Sequence, residues 1–355
     1  MKKDSIFIGI AAYNEEDILD TIDTAFGKAE NPDNIYIGIV LHYPNKNFPD
    51  LSKYKNIDFV NVSEKIGLGV GMSRMLASTF YKDEEYYLQI DAHTVFKKNW
   101  DKTLKENYVK LKAAYEKPII SSYVPYYYRD KDTGEKMTMV KDTNWEADYP
   151  SWTLVSKGHP EALGMEDPDK YKTFAYGIEA LDSPGAKSAN YNELGYEEQY
   201  LISGHFLFTS GSFVNDVKYD PMLAYHEENA IALLAWTRGY KIFNIKDHVI
   251  WTRDVNSMGR DVPNSWKKTY LETDENGISF RDKVVSGTLR NKQILTGEVL
   301  GEYGSPTIEL IREYEKASGL DYKKFYSDMY KLIEETGNQY PAGRMLYDLE
   351  KGLNG

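Results

Sequence analysis

The chain has 355 residues, enough for one large hydrophobic core or for a catalytic domain carrying a smaller appendage. Its 55 Asp and Glu outnumber 43 Lys and Arg for a net charge of -12, which excludes a general electrostatic affinity for nucleic acid or acidic lipid. Having no cysteine, it has no disulfide, thiolate-held zinc, cysteine-held iron–sulfur cluster or cysteine nucleophile, so a bound metal must take oxygen or imidazole ligands.

The first apolar run is short and broken by Asn14, Glu15 and Glu16, and no later run approaches the roughly 20 residues that span a bilayer. No membrane insertion is expected, and the chain reads as cytoplasmic, in a host cytoplasm if viral. Residues 6–12 read as a buried strand and residues 17–26 as a helix with apolar positions at Ile18, Leu19, Ile22 and Phe26. Strands follow at 35–40 and 57–62, then a glycine-rich entry, Gly67 to Gly71, into a helix reaching Ala77 or Phe80. A strand at 86–90 ends directly in Asp91-Ala92-His93, and a helix runs from 100 to 115. This alternation predicts a mostly parallel α/β sheet covered by helices, with functional loops at the carboxyl ends of its strands. Residues 119–127 read as one strand, and 129–199 as polar excursions with a small antiparallel sheet. A further strand spans 201–209, and a helix spans 227–238, capped by Gly239. A short strand at 240–245 leads to His248. From Pro263 the pattern is mainly helical. The expected organisation is one large α/β domain over 1–262 followed by an accessory helical region over 263–355. The 30 tyrosines include Tyr123, Tyr126, Tyr127 and Tyr128, a group expected to be exposed, whose rings could stack on sugars or pack at the core boundary.

Asp91 and His93 stand two residues apart beyond an apolar strand, so both side chains can approach one cation while Ala92 points away. A turn-capping aspartate followed by a surface histidine fits the same spacing. His226-Glu227-Glu228 opens a predicted helix, where carboxylates are favoured by the helix dipole whether or not they act chemically. His248 and Arg253 follow the next strand and add an imidazole and a guanidinium; a structural role for His248 fits equally well.

Taken together, IFIGIAAYNEEDI, GLGVGMSRMLA, YYLQIDAHTVFKKNWDKTL, HEENAIALLAWTRGYKIFNI and HVIWTR resemble the GT-A glycosyltransferases. Within them the resemblance is to the protein hydroxyproline N-acetylglucosaminyltransferases that act on cytoplasmic acceptors. It covers about residues 5–255 and implies a metal motif of Asp-x-His form at Asp91 and His93, completed by His248. It places Tyr13, Asn14 and Glu15 in the donor-nucleotide loop, Arg74 near the donor phosphates, and Glu228, with Glu227 beside it, at the acceptor side, where a carboxylate can orient or deprotonate a hydroxyl. Arg253 would hold phosphate or fix the metal-site loop. His205 stands where small residues beside the sugar or acceptor are expected.

The implied activity is transfer from a nucleotide sugar, UDP favoured, with Mn²⁺ or Mg²⁺ and retained anomeric configuration, by a catalytic domain over 1–262 whose donor half runs to about 128 and whose acceptor half follows. The acceptor is a protein hydroxyl, a hydroxymethylated pyrimidine in viral DNA, or a glycan. An inactive carbohydrate-binding scaffold is the alternative of another class.

Overall fold

The computed structural model describes residues 2–44, 48–63, 66–129, 136–138, 152–155, 185–188, 190–224, 227–253, 277–336 and 341–352. Strands and helices alternate through β1 (Lys2–Tyr13), α1 (Ile18–Gly27), β2 (Ile35–His42), β3 (Ile57–Val62), α2 (Val70–Ser78), β4 (Glu84–Asp91), β5 (Thr94–Phe96) and α3 (Trp100–Lys112). Short strands follow: β6 (Pro118–Ile120), β7 (Tyr126–Arg129), β8 (Lys136–Thr138), β9 (Trp152–Val155), β10 (Gly185–Ser188), β11 (Tyr196–Gln199) and β12 (Phe206–Ser210). After the single turn α4 (Phe213–Asp216) come α5 (Glu228–Thr237), β13 (Lys241–Ile245) and β14 (Ile250–Arg253). Among the described residues that follow are the helices α6 (Phe280–Thr296), α7 (Ile308–Ser318), α8 (Tyr322–Thr336) and α9 (Pro341–Glu350).

The main sheet has eight strands in the order β11-β13-β6-β12-β4-β1-β2-β3. It is the mostly parallel α/β sheet expected, with β12 reversed between β4 and β6 and β11 reversed at one edge. β1 is an interior strand, paired in parallel with β2 and β4, and its residues alternate between two cores. Ile6, Ile8 and Ile10 pack with Ile18 and Ile22 of α1 and Trp100 and Leu104 of α3. Phe7 points the other way, into a cluster with Ile231 and Leu234 of α5. The period of two that decides strand facing therefore divides the helices into two layers. Ile294, Ile311, Tyr314 and Tyr322 of the carboxyl-terminal helices join the Phe7 layer, so the described part of that helical region shares a core with the α/β sheet. At the other edge, β3 leaves Phe59 and Val60 42% and 37% exposed.

A second sheet, β5-β14-β7-β8, starts at Thr94, immediately beyond the Asp91–His93 turn. β9 and β10 form a separate antiparallel pair. Residues 119–127 are not one strand. Ser121 donates its amide to Phe243 O in the main sheet, while Pro125 O accepts from Thr252 N in the small one, and the chain crosses between sheets in that interval. Nor does a strand run from Leu201: residues 203–206 form a hydrogen-bonded turn, and β12 begins at Phe206. Tyr127, expected at the surface, is fully buried with Val95 and Trp251, because β7 pairs with β14.

Candidate active site

Asp91 ends β4 beside Ala11 of β1, where a parallel sheet presents its ligand-binding edge. The turn after it is pinned to α1: Thr21 Oγ1 donates to Ala92 O at 2.8 Å, and Thr94 N donates to Thr21 Oγ1 at 2.9 Å. His93 is oriented from behind. Its Nδ1 lies 3.0 Å from Glu15 Oε2, so the ring proton belongs on Nδ1 and the Nε2 lone pair faces Asp91 Oδ2, 3.7 Å away. Two ligands each about 2.1 Å from one cation stand roughly 3–4 Å apart, so this pair fits a divalent ion. Glu15 is buried, and its carbonyl accepts from the Tyr43 hydroxyl. Asn14 turns that loop in the left-handed region at φ 47°, with its amide held by His42 O at 3.0 Å.

His248 is not brought to this pair. Arg253 N bonds to His93 O, and Val249 O accepts from Lys97 N, so His248 precedes the opposite end of the β14 ladder. At about 3.3 Å per residue, the four steps from Val249 to Arg253 already cover roughly 13 Å. Among the described residues no group of three His, Asp or Glu side chains has the geometry of a metal cage. Strand register sets His248 apart from the turn by the length of β14. His226 lies outside the described residues.

Arg74, on α2, is buried and joins the two acidic sides, its guanidinium 3.5 Å from Asp91 Oδ1 and 3.2 Å from Glu227 Oε1. Burial works against its charge, but Glu227, Tyr219 and Asp91 more than compensate and hold it protonated. The first turn of α2 is seated by the loop that precedes α5. Val70 N donates to Ala224 O at 2.9 Å and Gly71 N to Leu223 O at 2.8 Å, and a Cβ on Gly71 would come within 2.4 Å of Asp220 O. Only glycine permits this approach.

Glu228 opens α5 and accepts the Gly204 amide on Oε1. Burial, reinforced by the neighbouring Glu227 charge, pushes its carboxyl pKa up to about 8. His205 follows Gly204. Burial drives its pKa down to about 4, with Asp91 opposing and His93 and Arg74 reinforcing, so the imidazole is neutral at physiological pH. Asp91, His93, Glu15, Arg74, Glu227, Glu228 and His205 thus converge from five separate stretches of chain. Tyr13 borders this group with its ring 5.7 Å from that of His42, and Arg253 donates to Asp17, fixing the loop after β1 to the end of β14.

Residues 5–56 and 50–303 match the family described as Glycosyltransferase (GlcNAc). The chain belongs to the GlcNAc glycosyltransferase family. Every residue of the site lies inside the matched span, as does α6. Among curated proteins, none matches this glycosyltransferase. Among solved structures it is similar to GalNAc-T7 with UDP, GalNAc and Mn²⁺, at 12% identity and a TM-score of 0.50, over 93% of this chain and 58% of that one. It also matches S. aureus TarS 1-349, at 12% identity and a TM-score of 0.41, over 98% of this chain and 92% of that one. The same TarS segment in complex with UDP gives a TM-score of 0.43 at 12% identity, again over 98% and 92%. With the likeness to GalNAc-T7, the expected GT-A architecture is the fold of this chain.

Sequence reasoning missed Gln89. Its amide donates to Gly204 O at 2.8 Å, and its Oε1 accepts from Tyr219 and Tyr87, linking β4 to the turn before β12. A glutamine two residues before Asp91, on the same face of an otherwise apolar strand, was the available signal.

Proposed function

We propose that this glycosyltransferase moves a sugar from a nucleotide diphosphate, UDP favoured, to an acceptor hydroxyl with the help of a divalent cation. The observation that carries the reading is the turn at the end of β4, where a carboxylate and an imidazole, its proton committed to Glu15, stand beside a buried guanidinium. Oxygen with imidazole suits Mn²⁺ or Mg²⁺, with the imidazole favouring Mn²⁺. GalNAc-T7, alike in fold, was crystallised with UDP, GalNAc and Mn²⁺.

Asp91 and His93 would hold the cation, which when bound neutralises charge on the leaving diphosphate. Tyr13, Asn14 and Glu15 form the loop that receives the nucleoside. Arg74 supplies a fixed positive charge beside the phosphates, while Arg253, engaged by Asp17, secures the loop. Glu228 faces the acceptor side, and a carboxyl that titrates near neutrality can orient a hydroxyl and handle its proton. Glu227 keeps Arg74 in place. The resemblance to hydroxyproline transferases favours a protein hydroxyl as acceptor and retention of configuration. No helix among the described residues is long and apolar enough to cross a membrane.

Asp91→Asn is expected to lower Mn²⁺-dependent hydrolysis of UDP-sugars about a hundredfold while preserving the far-ultraviolet circular dichroism spectrum. Full activity of this variant in EDTA would overturn the reading. Labelled sugar offered in parallel to protein, hydroxymethylated DNA and oligosaccharide assigns the acceptor, and the anomeric coupling constant of the product reports the stereochemistry.

A further inference from the structure

The turn before β12 is built to present a single side chain. Phe206 N bonds to Ser203 O at 3.2 Å, Ser203 N donates to Ser121 Oγ at 2.9 Å, and Ser121 Oγ donates to Phe206 O at 2.6 Å. Gly204 is held on both sides, by the Gln89 amide and the Glu228 carboxylate, and a Cβ there would meet Glu228 Oε1 at 3.1 Å and Glu227 Oε1 at 3.3 Å. The side chain so placed is that of His205. Its ring stands edge-on to Tyr123, centroids 5.2 Å apart at 84°, and Tyr123 stands edge-on to Tyr126 at 5.8 Å and 81°, with the two tyrosine hydroxyls hydrogen-bonded. All three rings are half-buried.

Val124 N donates to His205 Nε2 at 3.4 Å, which puts the imidazole proton on Nδ1. No acceptor among the described residues takes that proton. A rigidly held N–H beside two aromatic rings presents no lone pair to a cation. It matches an uncharged ring that carries hydroxyl oxygens at its rim and C–H groups on its faces.

Resting on the nucleotide-sugar reading above, we propose that His205, backed by Tyr123 and Tyr126, determines specificity in a pyranose subsite, donating from Nδ1 to a ring hydroxyl oxygen. The pyranose belongs either to the donor or to the acceptor, and the two are separable.

His205→Ala and His205→Asn are compared with the unsubstituted protein in three measurements. These are calorimetric affinity for UDP with Mn²⁺, hydrolysis rates for UDP-GlcNAc, UDP-GalNAc and UDP-glucose without acceptor, and transfer to phenyl glycosides. His205→Ala is expected to leave UDP affinity unchanged. A donor pyranose appears as a change of about tenfold or more in the ratios of the three hydrolysis rates; an acceptor pyranose appears as a similar rise in glycoside KM with those ratios intact. His205→Asn, which keeps an N–H close to the Nδ1 position, is expected to recover part of either effect. Unchanged ratios together with unchanged KM would overturn the subsite, as would a parallel loss of UDP affinity, which marks a merely structural histidine. An unsubstituted protein that binds no UDP defeats the donor reading itself, and the subsite with it.

Discussion

Arg74 carries a buried charge that two carboxylates share, and the consequences of its removal are asymmetric. Without the guanidinium, Glu227 keeps its burial and loses its partner, a situation that costs about 3 kcal/mol or more. Arg74→Met is therefore expected to lower Tm measurably and to weaken UDP binding, whereas Arg74→Lys retains charge without the two-sided fork and restores stability more than affinity. Thermal melts and calorimetry on the two variants check this. Glu228 gives a pH signature. Its folded pKa of about 8 lies above the ordinary carboxyl value, so protonation contributes stability that is fully present below the unfolded pKa and is lost as pH rises through 8. Glu228→Gln is neutral throughout, so its Tm should gain on that of the parent protein between pH 5 and pH 9, while its turnover at saturating substrates falls about a hundredfold. A constant Tm difference across that range would refute the burial argument. At this scale the sequence showed Asp91 and His93 because they close an apolar strand. His248 was offered by the resemblance alone, since closeness in the chain does not tell at which end of a strand a residue sits.

α6 bears on chemistry it does not touch. Gly287, within α6, lies against the loop that precedes α5, where an added Cβ would be 2.9 Å from Ala224 N and 3.0 Å from Met222 O, both backbone atoms. That loop also seats the first turn of α2 and so the approach of Arg74, and Asp220 within it accepts from Arg290 Nε at 2.6 Å. Gly287→Ala gains about 1 kcal/mol of helix propensity but forces a close-packed loop to move at a cost of about 1–3 kcal/mol. The expected outcome is a modestly lower Tm and a larger fractional loss of kcat, read from melts and initial rates on one preparation. Element periodicity revealed most of the helices and strands. It could not reveal that β12 runs backwards, because a strand buried on both faces carries the same apolar pattern in either direction. The break between β6 and β7 was equally hidden, since it depends on hydrogen bonds to strands more than 100 residues further along the chain.

For the whole molecule, the alternation of β and α was legible from the apolar runs, and so was the sheet they build. The members of the site were named by the resemblance, not by periodicity, and the seven side chains become neighbours only through a strand order in which β4 lies between β1 and β12. Charge acts at this scale too. The net -12 at pH 7 disappears near the isoelectric point of about 5.1, removing the repulsion that keeps copies apart. The outer strand, β3, with its two bared apolar residues, then becomes the place where one molecule can extend the sheet of another. Light scattering on acidification to about pH 5 is expected to rise before native circular dichroism is lost, and Phe59→Lys is expected to suppress it without changing turnover. The sheet thus ends at β3 in an unfinished margin whose solubility is borrowed from the acidity of the remaining surface, so storage near neutral pH and low ionic strength follows from its architecture.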